Sequence, residues 1–347
     1  MRTAIIGLPM AGKTSLFTIL TGAHQAAHLG AMAVRVGVAK VPDPRLETVA
    51  EVFRPGKVTH ATIEYVDTPA ISKEALRDPA FLAGLRLVDA FAHVLRLFED
   101  ERVPHEMGSI DPRRDLEHIE VELLLSDLIM VEKRLDRLEK DRRKIKSAEL
   151  DREFELLEKC KALLDANRPL RELALSEEED KRIRGFGFLS RKPALCVLNL
   201  GEADAPRLHA IETKYHAGAA ICGKIEAELA ELSPEEAGEY LASFGLAEPG
   251  LERVVAATYS LLGLICFFTG SDTEVRAWTV PKDTPALKAA GAIHTDFEQK
   301  FIRAEVINWK ALVDSGSIAH AREKGLLRLE GKDYLVKDGD VLQIRHT

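Results

Sequence analysis

The sequence predicts an α/β protein with a mostly parallel sheet flanked by helices, a long helical insertion, and a small α+β domain at its C-terminal end. Short apolar runs alternate with helical stretches in the first part of the chain, as βα units do. A charged segment in the middle has helical spacing. The last 75 or so residues contain several short strand-like runs separated by turns.

Four short apolar runs, bounded by polar residues, glycine or proline, are typical of buried strands. They are residues 3–7, 62–66, 90–98 and 193–198. A helical stretch from Lys13 to Leu20 follows the first of them. Because a short connection through a helix joins parallel strands, we expect one sheet with helices on both faces, formed by residues 1–112 and 190–272.

Residues 113–175 are predicted to form a helical insertion, in which charged residues separate apolar positions spaced three and four apart. The apolar positions are Leu128, Val131, Leu135 and Leu138, then Leu150, Phe154, Leu157 and Leu164. Two such runs predict a pair of long helices, arranged as an antiparallel coiled-coil hairpin.

Residues 133–146, near the tip of this hairpin, carry eight basic and three acidic side chains. One interpretation is a solvated helical face. The other is a docking site for an acidic partner such as ribosomal RNA, in which case reversing the charge at Arg142, Arg143 and Lys144 would weaken binding.

Residues 273–347 are predicted to form a compact α+β domain around one helical segment, residues 285–301. Its short strand-like runs are residues 274–280, 302–306, 326–330, 334–337 and 341–345. The pairs Glu330-Gly331 and Asp338-Gly339 supply residues that favour tight turns between strands.

The composition limits the classes of protein to consider. The chain has 347 residues, 46% of them hydrophobic, enough for more than one core. A net charge of −8 argues against coating nucleic acid by bulk attraction, and we expect no readout of DNA sequence. The four cysteines are widely spaced, which favours reduced thiols and a cytoplasmic protein. The chain begins directly in a predicted strand, so we expect no secretory signal. The longest apolar run, residues 261–268, is too short to span a bilayer, so we expect no membrane span.

Residues 7–14, Gly-Leu-Pro-Met-Ala-Gly-Lys-Thr, match the phosphate-binding loop (P-loop) pattern G-x-x-x-x-G-K-[ST]. Glycines let successive backbone N–H groups turn toward one phosphate, and the following helix adds its positive N-terminal dipole. Lys13 can reach the terminal phosphates of a nucleotide, and the Thr14 hydroxyl can coordinate Mg²⁺. The motif lies between a predicted strand and a predicted helix, where its chemistry requires it.

Two further sites lie after predicted strands. Asp67 can hold Mg²⁺ through water, although an Asp at a strand end is often only a turn or cap residue. Residues 199–202, Asn-Leu-Gly-Glu, stand where guanine-specific GTPases have N-K-x-D. Because Leu200 and Glu202 replace the Lys and Asp of that tetrad, guanine selectivity should weaken and adenine become acceptable.

These motifs and the C-terminal segment resemble the YchF/Obg-like ATPase family of P-loop GTPases, nearly from end to end. The matching segments are residues 7–17, 41–46, 98–101, 111–112, 131–139, 224–229, 289–297, 329–334 and 338–340. The resemblance implies a P-loop G domain, an inserted coiled-coil hairpin and a C-terminal β-grasp (TGS) domain. It also implies an Mg²⁺-dependent NTPase that prefers ATP to GTP and binds ribosomes through the hairpin and the TGS domain.

The resemblance also implies roles for individual residues. The residues around the phosphates would be Met10, Ala11, Gly12, Lys13, Thr14 and Ser15. The residues around the base would be Asn199, Leu200 and Glu202, with Cys222 and Gly223 in a loop against it. Ile71 would stand where Ras-like enzymes have a water-orienting glutamine, and His105 matches a family histidine linked to hydrolysis. His105 could equally be a loop residue with no role.

Two departures from the family pattern concern the switch regions. Residues 26–31 stand where the family's switch I has N-Y-P-F-C-T, and the Mg²⁺-binding threonine is missing. The D-x-x-G of switch II is Asp67-Thr68-Pro69-Ala70 here. Alanine and proline restrict the backbone more than glycine does. We therefore expect nucleotide binding with weak or absent hydrolysis. The chain would be a slow ATPase or, alternatively, a non-hydrolysing adaptor that uses the hairpin and the TGS domain as interaction surfaces.

Overall fold

The structure is a computed structural model that describes residues 1–22, 35–72 and 74–346. The chain divides into two compact units. The first unit comprises Met1–Gly37 and Glu64–Val254, and the second comprises Val38–Ile63 and Val255–Thr347. The expected switch I segment, residues 26–31, lies outside the described residues.

The first unit is built on a six-stranded sheet. Its strands are β1 (Arg2–Ile6), β2 (Arg35–Lys40), β4 (Thr62–Asp67), β5 (Ala90–Leu97), β6 (Ala194–Leu200) and β7 (Ala219–Ile221), in the order β2-β4-β1-β5-β6-β7. The pairs β1–β4, β1–β5, β5–β6 and β6–β7 are parallel. The four predicted parallel strands are therefore confirmed, and β2 and β7 extend the sheet.

Helices connect the strands of this sheet. Between its strands lie α1 (Lys13–Thr21), α3 (Pro79–Arg86), α6 (Glu177–Arg184) and α7 (Leu208–Tyr215), besides the helices described below, and its last strand, β7, is followed by α8 (Gly223–Leu229), α9 (Pro234–Ser243) and α10 (Gly250–Leu261). Strands β1 and β5 contribute Ile6 and Phe91 to a buried apolar cluster that also contains Leu85 of α3. Burial of such side chains is the main favourable term in folding, and it fixes the carboxyl ends of the strands.

The predicted helical insertion consists of α4 (Pro112–Arg142) and α5 (Ala148–Asp165), which contact each other. Helix α4 begins after Asp111, whose carboxylate accepts hydrogen bonds from the N–H groups of Arg113 and Arg114. The proposed apolar positions lie at the contact. Val131, Leu135, Leu138, Leu157 and Leu164 are buried, and Leu128, Leu150 and Phe154 pack against them. The helix-period pattern thus identified the buried face of each helix.

Asp127 anchors helix α4 to the segment before strand β6. Its carboxylate is fully buried and accepts hydrogen bonds from the backbone N–H groups of Leu189 and Ser190, at 2.9 and 2.7 Å. The Ser190 hydroxyl donates a third, at 2.7 Å. Burial raises the pKa of Asp127, whereas these three hydrogen bonds act to lower it. A buried carboxylate needs such partners, so they hold the middle of helix α4 against residues 189–190.

The second unit contains the other six-stranded sheet and five helices in the described part of the chain. Its strands are β3 (Lys57–Thr59), β8 (Leu264–Gly270), β9 (Glu274–Pro281), β10 (Phe301–Asn308), β11 (Arg328–Glu330) and β12 (Asp340–His346), in the order β11-β10-β12-β8-β9-β3. The helices are α2 (Pro44–Phe53), α11 (Ala286–Ile293), α12 (Thr295–Gln299), α13 (Trp309–Ser315) and α14 (Ile318–Glu323). Phe267, Ala289, Val306 and Leu342 belong to its buried core.

The second unit differs from the expected C-terminal domain in two ways. It starts before residue 273, because β8 pairs with β9 and β12, and it includes residues 38–63. Arg45 fixes that segment through bonds to Asp43 and Asp338. The predicted strand at residues 334–337 is wrong. Only an isolated bridge between Pro285 and Leu335 forms there, because the Tyr334 hydroxyl and the Lys337 N–H both bind Asp340 in a turn.

Candidate functional site

The candidate site lies at the carboxyl edge of the parallel sheet in the first unit. The P-loop follows β1, Asp67 ends β4, Phe98 follows β5, Leu200 ends β6 and Cys222 follows β7. In parallel α/β sheets this edge is where ligands bind, because the loops after neighbouring strands converge there. The topology therefore brings the sequence-predicted residues to one edge.

The P-loop has the backbone conformation that its glycines permit. Gly12 has a φ of +95°, and Gly7 has a φ of +151°. A Cβ on Gly7 would lie 2.5 Å from the Val94 carbonyl oxygen, and one on Gly12 would collide with the Asn199 amide. Both the angles and the space at these positions exclude larger side chains. Between them, Met10 has a φ of +59° and is exposed, whereas Ala11 is buried.

Lys13 is the first residue of α1 and its side chain is almost completely buried. Its Nζ donates a hydrogen bond to the Leu8 carbonyl oxygen at 2.7 Å, so the side chain folds back over the loop. Burial lowers the pKa of Lys13 to about 8, and the negative charge of Asp67 opposes this shift. The ammonium group is thus held beside the loop and short of solvation, a state that an anionic phosphate would relieve.

Thr14 and Asp67 are the residues expected to bind Mg²⁺, and their side chains contact each other in the structure. The Thr14 hydroxyl donates a hydrogen bond to Asp67 Oδ2 at 3.1 Å. A hydroxyl and a carboxylate are the oxygen ligands that Mg²⁺ takes, so this donor set fits the ion. Arg35, at the start of β2, forms an ion pair with the same Oδ2. Among the described residues, no cluster of three His, Cys, Asp or Glu side chains could hold a metal ion.

Asn199 connects the P-loop to the loop after β7. Its Nδ2 donates to the Ala11 carbonyl oxygen at 3.1 Å, and its Oδ1 accepts from the Gly223 N–H at 3.1 Å. The side chain is buried and fixes the separation of the two loops. A single amide therefore links the expected phosphate site to the expected base site.

A cavity of about 630 Å³ adjoins this amide. It is lined by Gly12, Ser15, Phe98, Glu99, Asp100, Arg102, Asn199, Leu200, Gly201, Glu202, Cys222, Gly223, Lys224 and Ala227. Its volume lies within the range of cavities that hold small ligands. The expected base-site residues Asn199, Leu200, Glu202, Cys222 and Gly223 all line it, and Gly12 and Ser15 join it to the P-loop.

The cavity is lined by one ion pair and by buried apolar side chains. Lys224 Nζ lies 2.6 Å from Glu202 Oε2, so the two charges form an ion pair across the cavity wall. Leu200 and Cys222 are buried and supply apolar surface. Burial raises the pKa of the Cys222 thiol, which keeps it protonated. The cavity thus has an apolar floor and a paired charge at one side.

Ile71 and His105 lie differently from the cavity residues. Ile71 is 1% exposed and packs in the apolar cluster with Leu8 and Val66. The Nε2 of His105 lies 2.9 Å from Asp115 Oδ2, and its Nδ1 accepts from the Met107 N–H at 3.1 Å. Both ring nitrogens of His105 are engaged, and neither residue lines the cavity.

Sequence reasoning missed four residues that shape the site. Arg96, in β5, is buried and donates to the carbonyl oxygens of Phe98 and Val103, at 3.0 and 2.8 Å, which holds the loop that lines the cavity. Phe98 and Arg102 line the cavity from that loop, and Arg35 pairs with Asp67. A charged residue at the end of an apolar strand was a usable signal for Arg96. Arg35 offered none, because its partner is far away in sequence.

The chain is similar to several known proteins over nearly its whole length. The chain is 39% identical to the ribosome-binding ATPase YchF of Bacillus subtilis over 99% of both chains. It is 41% identical to the protein of the same name from Haemophilus ducreyi, over 99% of this chain and 98% of the relative. The solved structure of the Schizosaccharomyces pombe YchF GTPase is 28% identical, with a TM-score of 0.84, and the match covers 99% of this chain and 97% of that one. Residues 264–347 match the family model YchF-GTPase_C, described as a protein of unknown function (DUF933). No helix in the described part of the chain is both long and apolar enough to cross a bilayer.

Proposed function

Because this chain belongs to the YchF family, we propose that it is a nucleotide-binding ATPase that associates with ribosomes in the cytoplasm. The observation that carries the proposal is the Asn199 amide, which joins the P-loop to the cavity. The phosphates would lie along residues 10–15 and the base in the cavity beside Asn199. Relatives at 39–41% identity bear the name ribosome-binding ATPase, which supports both parts of the proposal.

We propose that the chain prefers ATP to GTP because Leu200 and Glu202 replace the Lys and Asp of the N-K-x-D tetrad. In N-K-x-D proteins a free carboxylate accepts hydrogen bonds from guanine. Here Glu202 stands at that position, and its carboxylate is paired with Lys224. A carboxylate that is paired with an ammonium group has fewer free acceptor positions for the guanine N–H groups. Leu200 and the Cys222 thiol also line the cavity, and their apolar surface would not by itself distinguish the two purines.

Thr14 and Asp67 would hold Mg²⁺, which supplies positive charge to the nucleotide phosphates when bound. Lys13 would bind the terminal phosphates, and the backbone N–H groups of the P-loop would orient them. The geometry that supports this is the contact between the Thr14 hydroxyl and the Asp67 carboxylate. Cys222 and Gly223 would position the base by keeping their loop against Asn199.

We propose that hydrolysis is slow. The apolar side chain of Ile71 is enclosed in a core cluster and cannot orient water. His105 would assist the reaction only after exchanging its bonds to Asp115 and Met107. These two observations also favour the second candidate function, a nucleotide-binding adaptor without turnover. In that case the hairpin and the second unit, which we assign as the TGS domain, would be the working surfaces.

Phosphate release distinguishes the two candidates. We expect the native chain to release phosphate from ATP slowly but above the rate of a Lys13→Met variant purified in parallel. That variant measures contaminating phosphatase activity, because it lacks the charge that binds the phosphates. The measurement is release under single-turnover conditions, with binding recorded in the same samples. Equal rates for the two proteins, despite ATP binding by the native chain, would support the adaptor.

The tip of the hairpin is the part of the basic segment that we propose contacts ribosomal RNA. Arg142 already has partners within the hairpin, because it donates a hydrogen bond to Asp151 at 2.6 Å and lies over the Phe154 ring. We therefore do not assign it to the RNA contact. Lys144 and Lys146 are exposed. We expect Lys144→Glu/Lys146→Glu to weaken cosedimentation with ribosomes by about tenfold at low salt and by less at higher salt, because each lost phosphate contact lowers the number of counterions released on binding.

The matched control for the hairpin variant is Arg182→Glu/Arg184→Glu on α6, which makes the same change of charge elsewhere in the first unit. It should cosediment as the native chain does. Equal losses in both double variants would assign the effect to net charge. Native binding by the hairpin variant would move the ribosome contact away from the tip.

A further inference from the structure

Arg35 is paired with Asp67, whose carboxylate is expected to hold the metal ion. Its guanidinium group forms an ion pair with Asp67 Oδ2, the oxygen that also accepts the Thr14 hydroxyl hydrogen bond. Asp67 is 5% exposed, so few other groups can reach it. The charge of this carboxylate is therefore already neutralised by a cation that belongs to the chain.

The position of the guanidinium group is fixed by a second contact. It lies over the Phe17 ring, 5.2 Å from the ring centroid, and its side chain is one-fifth exposed. Phe17 is buried in α1, one turn beyond Lys13 and Thr14. A cation over an aromatic face is attracted to it, most strongly where water is excluded. The same helix that carries the phosphate-binding lysine therefore also positions Arg35.

We propose that the Arg35 guanidinium is a built-in counter-cation of Asp67 that competes with Mg²⁺, so that nucleotide binding by this chain depends little on Mg²⁺. This inference rests on the proposed nucleotide site. It assigns to Arg35 a role in positioning the carboxylate and in setting the demand for metal.

Two physical properties make Arg35 an effective competitor. Arginine carries its charge at every accessible pH and binds carboxylates through a planar fork. It is also attached to the chain, which gives it an effective concentration of about millimolar or more at Asp67. A divalent ion must displace this group or approach it against charge repulsion. Arg35 thus supplies positive charge at Asp67 without an ion.

The test compares the affinity for a fluorescent ATP analogue in EDTA with that over a Mg²⁺ titration. We expect the native chain to lose less than about threefold in affinity when Mg²⁺ is removed. Arg35→Gln should lose about tenfold or more in EDTA and recover as Mg²⁺ is added, since a close charge pair contributes at least that factor. The Mg²⁺ concentration that gives half of the increase in nucleotide affinity should be lower for Arg35→Gln than for the native chain. Arg35→Lys, which keeps the charge, should lie between the two.

The control is Arg184→Gln, which removes an arginine paired with Asp180 on the surface of the same unit. It should behave as the native chain does, and thermal unfolding would check that every variant is folded. Strict Mg²⁺ dependence in the native chain would overturn the inference without the use of any variant, and the proposed function would survive. Equal Mg²⁺ dependence in the native chain and Arg35→Gln would do the same. Absence of nucleotide binding in the native chain under all conditions would overturn both.

Discussion

Replacing Lys13 with methionine is expected to weaken ATP binding by about ten- to a hundredfold. Methionine fills a similar volume but removes the ammonium group beside the P-loop. That group donates to the Leu8 carbonyl oxygen at 2.7 Å and lies almost completely out of water. A hydrogen bond to a charged partner contributes about 1.5–3 kcal/mol, and each 1.4 kcal/mol is tenfold in affinity. Equilibrium titration with a fluorescent ATP analogue measures the loss.

The control for Lys13→Met is Lys181→Met, an exposed lysine on α6. It should leave the affinity unchanged. Burial opposes the charge of Lys13, so the Lys13→Met variant should be at least as stable as the native chain near neutral pH. Weak binding in Lys13→Met is then not a consequence of unfolding. An affinity within a few-fold of native would show that the phosphates do not lie beside Lys13.

Replacing Asn199 with alanine is expected to lower both stability and affinity. The change removes the donor to the Ala11 carbonyl oxygen and the acceptor for the Gly223 N–H. Each group left without a partner in a buried place costs about 1–3 kcal/mol. We therefore expect a loss of about 2–4 kcal/mol in the free energy of unfolding. The two loops would no longer be held together, and ATP affinity should fall by at least about tenfold. Urea unfolding and equilibrium titration measure the two effects.

A second variant separates the effect on binding from the effect on stability. Asn308 caps helix α13 in the second unit by accepting from the Lys310 N–H at 3.0 Å. Asn308→Ala should cost about 1 kcal/mol in stability, as loss of a helix cap does, and leave ATP affinity unchanged. If Asn199→Ala loses stability but binds ATP as the native chain does, the amide is a structural bridge and not part of a nucleotide site.

The sequence predicted those parts of the fold in which local pattern and burial agree. The four parallel strands form apolar runs because both faces of the sheet are covered. Leu128, Val131 and Leu135 have the three-and-four spacing that a buried helix face requires, and the structure buries the last two. The P-loop motif predicted a strand before it and a helix after it, and β1 and α1 lie there. In each case a short stretch of sequence carries enough information.

Features that depend on distant pairing were not predictable in this way. Residues 38–63 belong to the second unit because β3 pairs with β9 and Arg45 binds Asp338, contacts that no local pattern encodes. The false strand at residues 334–337 has strand-like composition, but its polar groups bind Asp340 in a turn. The ion pair of Arg35 with Asp67 joins residues on two different strands. Sequence spacing gives no distance between them.

Calorimetric titration of the purified chain with ATP, and separately with GTP, tests most directly whether the P-loop and the cavity beside Asn199 form one nucleotide-binding site. We expect one ATP per chain, GTP binding more weakly, and saturable ATP binding in EDTA as well as in Mg²⁺. Absence of saturable heat with either nucleotide would contradict a nucleotide site at the carboxyl edge of the sheet.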